Sequence, residues 1–283
     1  MAVTLDYARP SGLKSALALL AARPRVLLAG GTDIYPARSA RGLAGPVLDL
    51  TAIPELRGME MVEAGLRICA CTTWSAIAAA KLPPALAALQ QAAAEVGGRQ
   101  IQNAGTLGGN LCNASPAADG VPPLLTVEAS LELASVGGLR TLPLAEFITG
   151  PRQTALRAGE IVTGVMIPRH ALAGHSRFLK LGARKYLVIS IAAVAVRLVE
   201  REGVVADAAL AVGACSAVAR RLPGAEAALI GAPWAKAAER ISDSKVAAGL
   251  APLDDIRASA GYRNRAAAEL LRRAVADVTG GRA

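Results

Sequence analysis

Residues 97–123 constrain this chain more than any other stretch. They are rich in Gly, Asn, Ser, Thr, Ala and Pro, with Gly105-Thr106-Leu107-Gly108-Gly109-Asn110 at the centre and Ala114-Ser115-Pro116 and Asp119 behind it. No helical or alternating apolar period runs across them. A long aperiodic run inside an apolar chain points to a functional loop rather than a connector. Glycines permit positive φ and let backbone approach a ligand closely. Free N–H groups in such a turn form an anion-binding concavity, and Thr, Asn and Ser side chains add donors. The stretch therefore reads as a loop that holds a phosphate-bearing ligand. An Asn/Gly-rich surface loop accounts for the composition as well.

A second glycine turn favours the ligand. Arg25-Val26-Leu27-Leu28-Ala29 reads as a short buried strand that runs into Gly30-Gly31-Thr32-Asp33. Main-chain N–H groups at such a strand end can face a pyrophosphate. Two turns of this kind suggest an extended diphosphate, hence a dinucleotide. Neither site carries G-x-G-x-x-G, and G-x-x-x-x-G-K-[ST] is absent too, so the doubly wound dinucleotide fold is not expected.

In this order and spacing the motifs resemble the FAD-binding (medium) subunit of the molybdenum hydroxylases, the xanthine dehydrogenase and carbon monoxide dehydrogenase family. Further matching segments are Gly150-Pro151-Arg152-Gln153-Thr154-Ala155-Leu156, Gly159-Glu160-Ile161, Phe178 to Arg184, and Asp255-Ile256-Arg257-Ala258-Ser259-Ala260-Gly261-Tyr262-Arg263. The resemblance covers nearly the whole chain. It implies an α+β fold: a two-lobed PCMH-type FAD-binding domain over 1–172, with lobes of about 1–57 and 58–172. A C-terminal antiparallel sheet with helices follows over 173–283. It implies a path for the FAD diphosphate along Leu27, Leu28, Ala29, Gly30, Gly31, Thr32, Asp33 and Ile34, with Gly105, Thr106, Gly109, Asn110 and Cys112 opposite. Asp119 would bond the ribityl or adenosine part, Ile101, Ile161 and Val162 would line the rings, and Lys180 would approach the isoalloxazine. A solvated lysine remains the alternative there. Val96 stands where the family has an aromatic residue on the ring face, which leaves Tyr186 as the stacking candidate.

The same resemblance implies partners: a molybdopterin-binding large subunit and a [2Fe–2S] small subunit, assembled as a dimer of heterotrimers. Electrons would pass through FAD to NAD+, oxygen or a quinone, and a xanthine dehydrogenase-like activity is the first expectation. Carbon monoxide, aldehyde and N-heterocycle dehydrogenases are alternatives. A stand-alone flavin oxidase is disfavoured, because neither His170 nor His175 lies in a glycine turn to supply a covalent link or a base.

The bulk properties agree with a packed protein. Apolar residues make up 53% and charged ones 19%, which argues against disorder. No charge-free apolar run of membrane-spanning length occurs, and the start of the chain has no signal-peptide pattern, so a cytoplasmic location is expected. The net charge of +9 could indicate nucleic acid. The basic residues are scattered, however, and no aromatics interleave with them as a stacking platform needs, so no nucleic-acid partner is expected. Cys69, Cys71, Cys112 and Cys215 match neither the plant-type iron–sulfur spacing nor a paired zinc site. No metal is expected on this chain, and Cys69 and Cys71 read as one face of a strand.

Pattern and capping rules predict a helix from Ser11, as N-cap, to Ala22, and strands at 25–29, 46–50 and 67–71. They predict helices from Thr72 to Ala80 and from Ala85 to Val96, with Gly97 at the end of the second. Leu124–Val127 and Ser130–Leu133 read as extended. Glu160–Pro168 reads as a closing strand, 186–199 and 204–215 as a hairpin, and 223–229 as a short helix. A long helix from Ile256 to Val278 would carry Asp254 and Asp255 at its positive end and Arg272 and Arg273 near its negative end.

Overall fold

The computed structural model describes residues 6–37 and 45–280. Three sheets carry the architecture, and each follows from its local sequence. The smallest is parallel, with Val47–Asp49 between Tyr7–Ala8 and Val26–Leu28. Parallel strands need crossover connections, and the Leu13–Ala22 helix makes the one from Tyr7–Ala8 to Val26–Leu28, on the far side of Val47–Asp49. Its Ala16, Leu17 and Leu20 pack on Leu48, Leu50 and Ile53.

The second sheet is antiparallel. Its strands run, edge to edge, Met59–Val62, Gly65–Cys69, Ile161–Pro168, Ser130–Ser135 and Gly138–Pro143. Ile161–Pro168 is therefore the central strand, and its nearly unbroken apolar run suits burial on both faces. The helices Trp74–Ala79, Ala87–Glu95, Leu107–Asn113 and Val121–Thr126 contribute Trp74, Ile77, Leu89, Leu111 and Leu124 to a core shared with Ile68, Leu131 and Val165.

The third sheet pairs His175–Leu181, Ala192–Arg201, Val204–Gly213 and Arg220–Arg221 antiparallel. Glu202 and Gly203 both take positive φ, +54° and +76°. That is the two-residue turn whose twist suits a hairpin. Leu271, Ala274, Val275 and Val278 of the Ala260–Thr279 helix pack against this sheet. On the other side Ala88 and Ala92 meet Phe178, Ala193 and Ala195. Gln91 Oε1 accepts from Phe178 N at 2.8 Å, and Ser176 Oγ accepts from Ala88 N at 2.9 Å.

Several expectations need correcting. The 97–123 stretch is largely helical, with helices at Arg99–Ala104, Leu107–Asn113 and from Val121. Leu107–Asn113 is held by tertiary contacts that override glycine's poor propensity; a Cβ on Gly108 would sit 2.8 Å from Ala70 Cβ. Leu124–Thr126 is helix rather than extended chain, because all six residues of Val121–Thr126 are buried and no amphipathic period marks it. The long helix starts at Ala260, capped by Ser259 Oγ from Tyr262 N, so Asp254 and Asp255 lie ahead of its first turn. Gly12, not Ser11, caps the first helix. The strand expected at 67–71 ends at Cys69, so Cys71 lies outside it, although both thiols are buried. Among the described residues no helix is long and apolar enough to cross a membrane.

Candidate cofactor-binding site

The two glycine turns meet. A Cβ on Gly30 would overlap the Ala104 carbonyl oxygen and lie 2.9 Å from Gly105 Cα. Only glycine lets the backbone of the first turn press against that of the second. Together they wall a cavity of about 760 Å³, within the usual range for ligand sites.

The first wall follows the Val26–Leu28 strand. Side chains alternate along it, so Leu27 faces the cavity and Leu28 is buried away from it. Leu28 is thus the one expected cofactor contact outside the lining. Ala29, Gly30, Gly31, Thr32, Asp33 and Ile34 all line the cavity. Gly31 has φ +71°, where an L side chain is strained. Tyr35 N donates to Gly31 O, but among the described residues the N–H groups of Gly30, Gly31, Thr32 and Asp33 have no protein acceptor. Four free donors at a tight turn form an anion concavity.

The second wall is built differently. Thr106 caps the Leu107–Asn113 helix and its Oγ1 accepts from Gly109 N at 3.2 Å. Leu107 N donates to Thr72 O, Gly108 N to Ala70 O and Asn110 N to Thr106 O. Every N–H of this first helical turn is therefore engaged. What the wall offers a ligand is side-chain chemistry, above all Asn110, whose buried Oδ1 has no partner among the described residues. An unsatisfied buried acceptor is costly, and a ligand hydroxyl or N–H would satisfy it. Ile101, Gly105, Thr106, Gly109 and Cys112 line this side with it.

The remaining walls come from the two larger sheets. Ile161 and Val162, at the start of the central strand, are buried and line the cavity. Lys180 reaches it from the third sheet and is neither a solvated lysine nor a free cation. Its side chain is 6% exposed and its Nζ donates to Asp119 Oδ2 at 2.6 Å. Ser190 Oγ donates to the other carboxylate oxygen at 2.9 Å. Burial pushes the Asp119 carboxyl above the usual carboxylate range, and the Lys180 charge and the two hydrogen bonds pull it back. Glu95 is also raised, chiefly by burial, with Lys180 opposing.

Reasoning from sequence missed other lining groups. Trp74 is buried with its ring against Gly105 and Gly120. Cys71 is another, its thiol pushed up to about 11 by burial. Arg152, at φ +60°, donates to the Asn113 side chain. Leu187, Val188 and Ile189 line the cavity, whereas Tyr186 is exposed and not among the lining residues. The apolar run directly after Arg184-Lys185 was the available signal. Val96 does line the cavity.

Residues 3–170 match the family described as the FAD binding domain in molybdopterin dehydrogenase. This chain belongs to that family. Residues 177–278 match the CO dehydrogenase flavoprotein C-terminal domain. The nicotine 6-hydroxylase medium subunit of Paenarthrobacter nicotinovorans is 33% identical, covering 96% of each chain. The xanthine dehydrogenase FAD-binding subunit of Escherichia coli O157:H7 is 33% identical over 91% of this chain and 90% of its own. The reconstituted CO dehydrogenase from Oligotropha carboxidovorans superposes with a TM-score of 0.89 at 29% identity, all of both chains being covered.

FAD fits the residues present. The free N–H groups at Gly30–Asp33 suit its diphosphate, and the unpartnered Asn110 oxygen suits a hydroxyl or N–H of its sugar or ring portions. The apolar walls from Ile101, Ile161, Val162 and Leu187 suit its ring systems.

Proposed function

We propose that this chain is the FAD-bearing electron-transfer subunit of a molybdenum hydroxylase working in the cytoplasm. Residues 1–172 form its FAD-binding domain and 173–283 its C-terminal domain. Its partners are a molybdopterin-binding large subunit and a [2Fe–2S] small subunit, in a dimer of heterotrimers. The observation that carries the reading is the abutment of Gly30 on Ala104–Gly105, which joins two remote turns into one cavity of dinucleotide character.

When bound, FAD lets electrons leaving [2Fe–2S] centres be passed to NAD+, oxygen or a quinone. The protein's own residues bind and orient. Gly30, Gly31, Thr32 and Asp33 offer main-chain donors to the diphosphate, and Thr106 and Asn110 offer side chains from across the cavity. Lys180 donates to Asp119 and so fixes a hydrogen-bonded polar pair at the cavity wall.

For the substrate we favour a nitrogen heterocycle, in a xanthine dehydrogenase-like complex. The nicotine and xanthine relatives, both named for such substrates, support it. Carbon monoxide is the second reading, favoured by the full-length superposition on the Oligotropha enzyme.

The test is purification of the full chain with its native partners. Yellow protein releasing FAD on denaturation, with co-purifying chains that contain molybdopterin and iron, is expected. Colourless protein that cannot take up FAD would end the reading. Turnover of carbon monoxide but of no heterocycle would replace the first substrate by the second.

A further inference from the structure

The 255–263 segment matches the family pattern, yet none of its residues lines the cavity. Asp255 Oδ1 accepts the N–H groups of Arg257 at 2.7 Å and Ala258 at 3.3 Å, and Nη2 of Arg263 at 2.6 Å. So gripped, the Arg263 guanidinium lies buried, its side chain 5% exposed. Its Nη1 donates to the carbonyls of Ile191 at 2.7 Å and Ala214 at 2.8 Å.

Both carbonyls belong to residues that hold the cavity wall. Ile191 N donates to Leu181 O at 2.8 Å, beside Lys180. Ser190, the residue before Ile191, donates to Asp119. Ala214 N donates to Pro116 O at 2.9 Å, in the loop that ends at Asp119. Ala214 does so at φ +62°, a conformation unfavourable for alanine that its surroundings must maintain. Three hydrogen-bonded routes thus lead from one guanidinium to the Lys180–Asp119 pair.

We propose that Arg263, gripped by Asp255, is a positioning residue for the flavin: it fixes Ile191 and Ala214 and thereby sets the Lys180–Asp119–Ser190 cluster at the cavity wall. This rests on the FAD reading above. Two carbonyls held at once need a planar, multi-donor group, and a lysine ammonium cannot copy the fork while also keeping Asp255.

The experiment is FAD titration of the cofactor-free full chain, followed by flavin fluorescence and visible absorption. It compares wild type, Arg263→Lys, Ser190→Ala and the double variant, with the melting temperature of each cofactor-free protein recorded alongside. Arg263→Lys should weaken FAD binding about tenfold and shift the bound flavin's visible band. In the Ser190→Ala background the same change should cost much less, because contacting residues in one network couple. Arg272→Lys, on the same helix but joined to Asp243 and Glu269, should change neither. A lowered melting temperature with unaltered FAD affinity and spectrum, or losses that simply add, would overturn the proposal. Should Arg263→Lys not fold, Asp255→Asn, which loosens the same guanidinium, carries the same comparison. Wild-type chain that binds no FAD would end the functional reading itself, and shows before any variant is made.

Discussion

At the Gly30–Asp33 turn four successive N–H groups lack protein acceptors among the described residues, whereas at the start of the Leu107–Asn113 helix every N–H is already engaged. Both corners are glycine-rich and both touch the same cavity. Their glycines serve different ends. On the first, glycine permits φ +71° at Gly31 and backbone contact at Gly30, and so presents donors. On the second, Gly108 lets a helix lie against Ala70, and the ligand is left to Thr106 and Asn110. Glycine density alone does not distinguish an anion cradle from a close helix packing; the fate of the N–H groups does.

The sharpest way to break this contrast is Gly30→Ala. The new methyl overlaps main chain that cannot give, so FAD affinity should fall by about 150-fold or more, the upper end of overpacking costs. Gly109→Ala meets only the Thr106 hydroxyl, at 2.9 Å, and should cost less than about tenfold. Fluorescence titration of both decides it; equal losses would mean that the corners are equivalent after all.

Next comes Lys180→Met, which strands Asp119 in the cavity wall. Removing one partner of a buried pair costs about 3–5 kcal/mol. Asp119 already titrates above the usual carboxylate range through burial. The folded form therefore binds its proton more tightly than the unfolded form. That contribution is present below the unfolded pKa and is lost as pH rises through the folded one. Losing Lys180 raises Asp119 further, so urea denaturation should show a deficit that grows with rising pH and shrinks in acid. A pH-independent deficit would show that Asp119 stays in one protonation state.

Thr106→Ala removes the helix cap and should cost about 1 kcal/mol of stability, together with a ligand-facing hydroxyl. Thr106→Ser, which keeps both, should restore both. Smallest of all, Leu28→Val should cost about 1 kcal/mol in the core and leave FAD affinity unchanged. Weakened FAD binding in that variant would return Leu28 to the cavity wall.

The glycine corners were legible because positive φ and close approach are demands on single residues, visible as Gly30, Gly31 and Gly108 themselves. The helices inside 97–126 were not, because the partners that stabilise them, such as Ala70 and the sheet beneath Leu124, lie far off in the chain. Leu28 lies outside the lining while Leu27 is in it, a split that strand alternation explains. Lys180 was found through the family resemblance, but its burial depends on Ser190 and Asp119 arriving from two other elements. Tyr186 shows the reverse case: a chemically suitable ring that is exposed beside the apolar residues that do the lining.

The cavity takes its walls from residues as remote as Leu27 and Ile189, spread over the three larger sheets. A cofactor seated there is in effect a further tie between parts of the chain that come from distant stretches of sequence. Linkage then requires occupancy to raise resistance to unfolding in proportion to the logarithm of free cofactor over its dissociation constant. Cells short of flavin would accordingly hold a softer, more readily degraded form of this chain, so that cofactor supply governs how much of it survives to assemble.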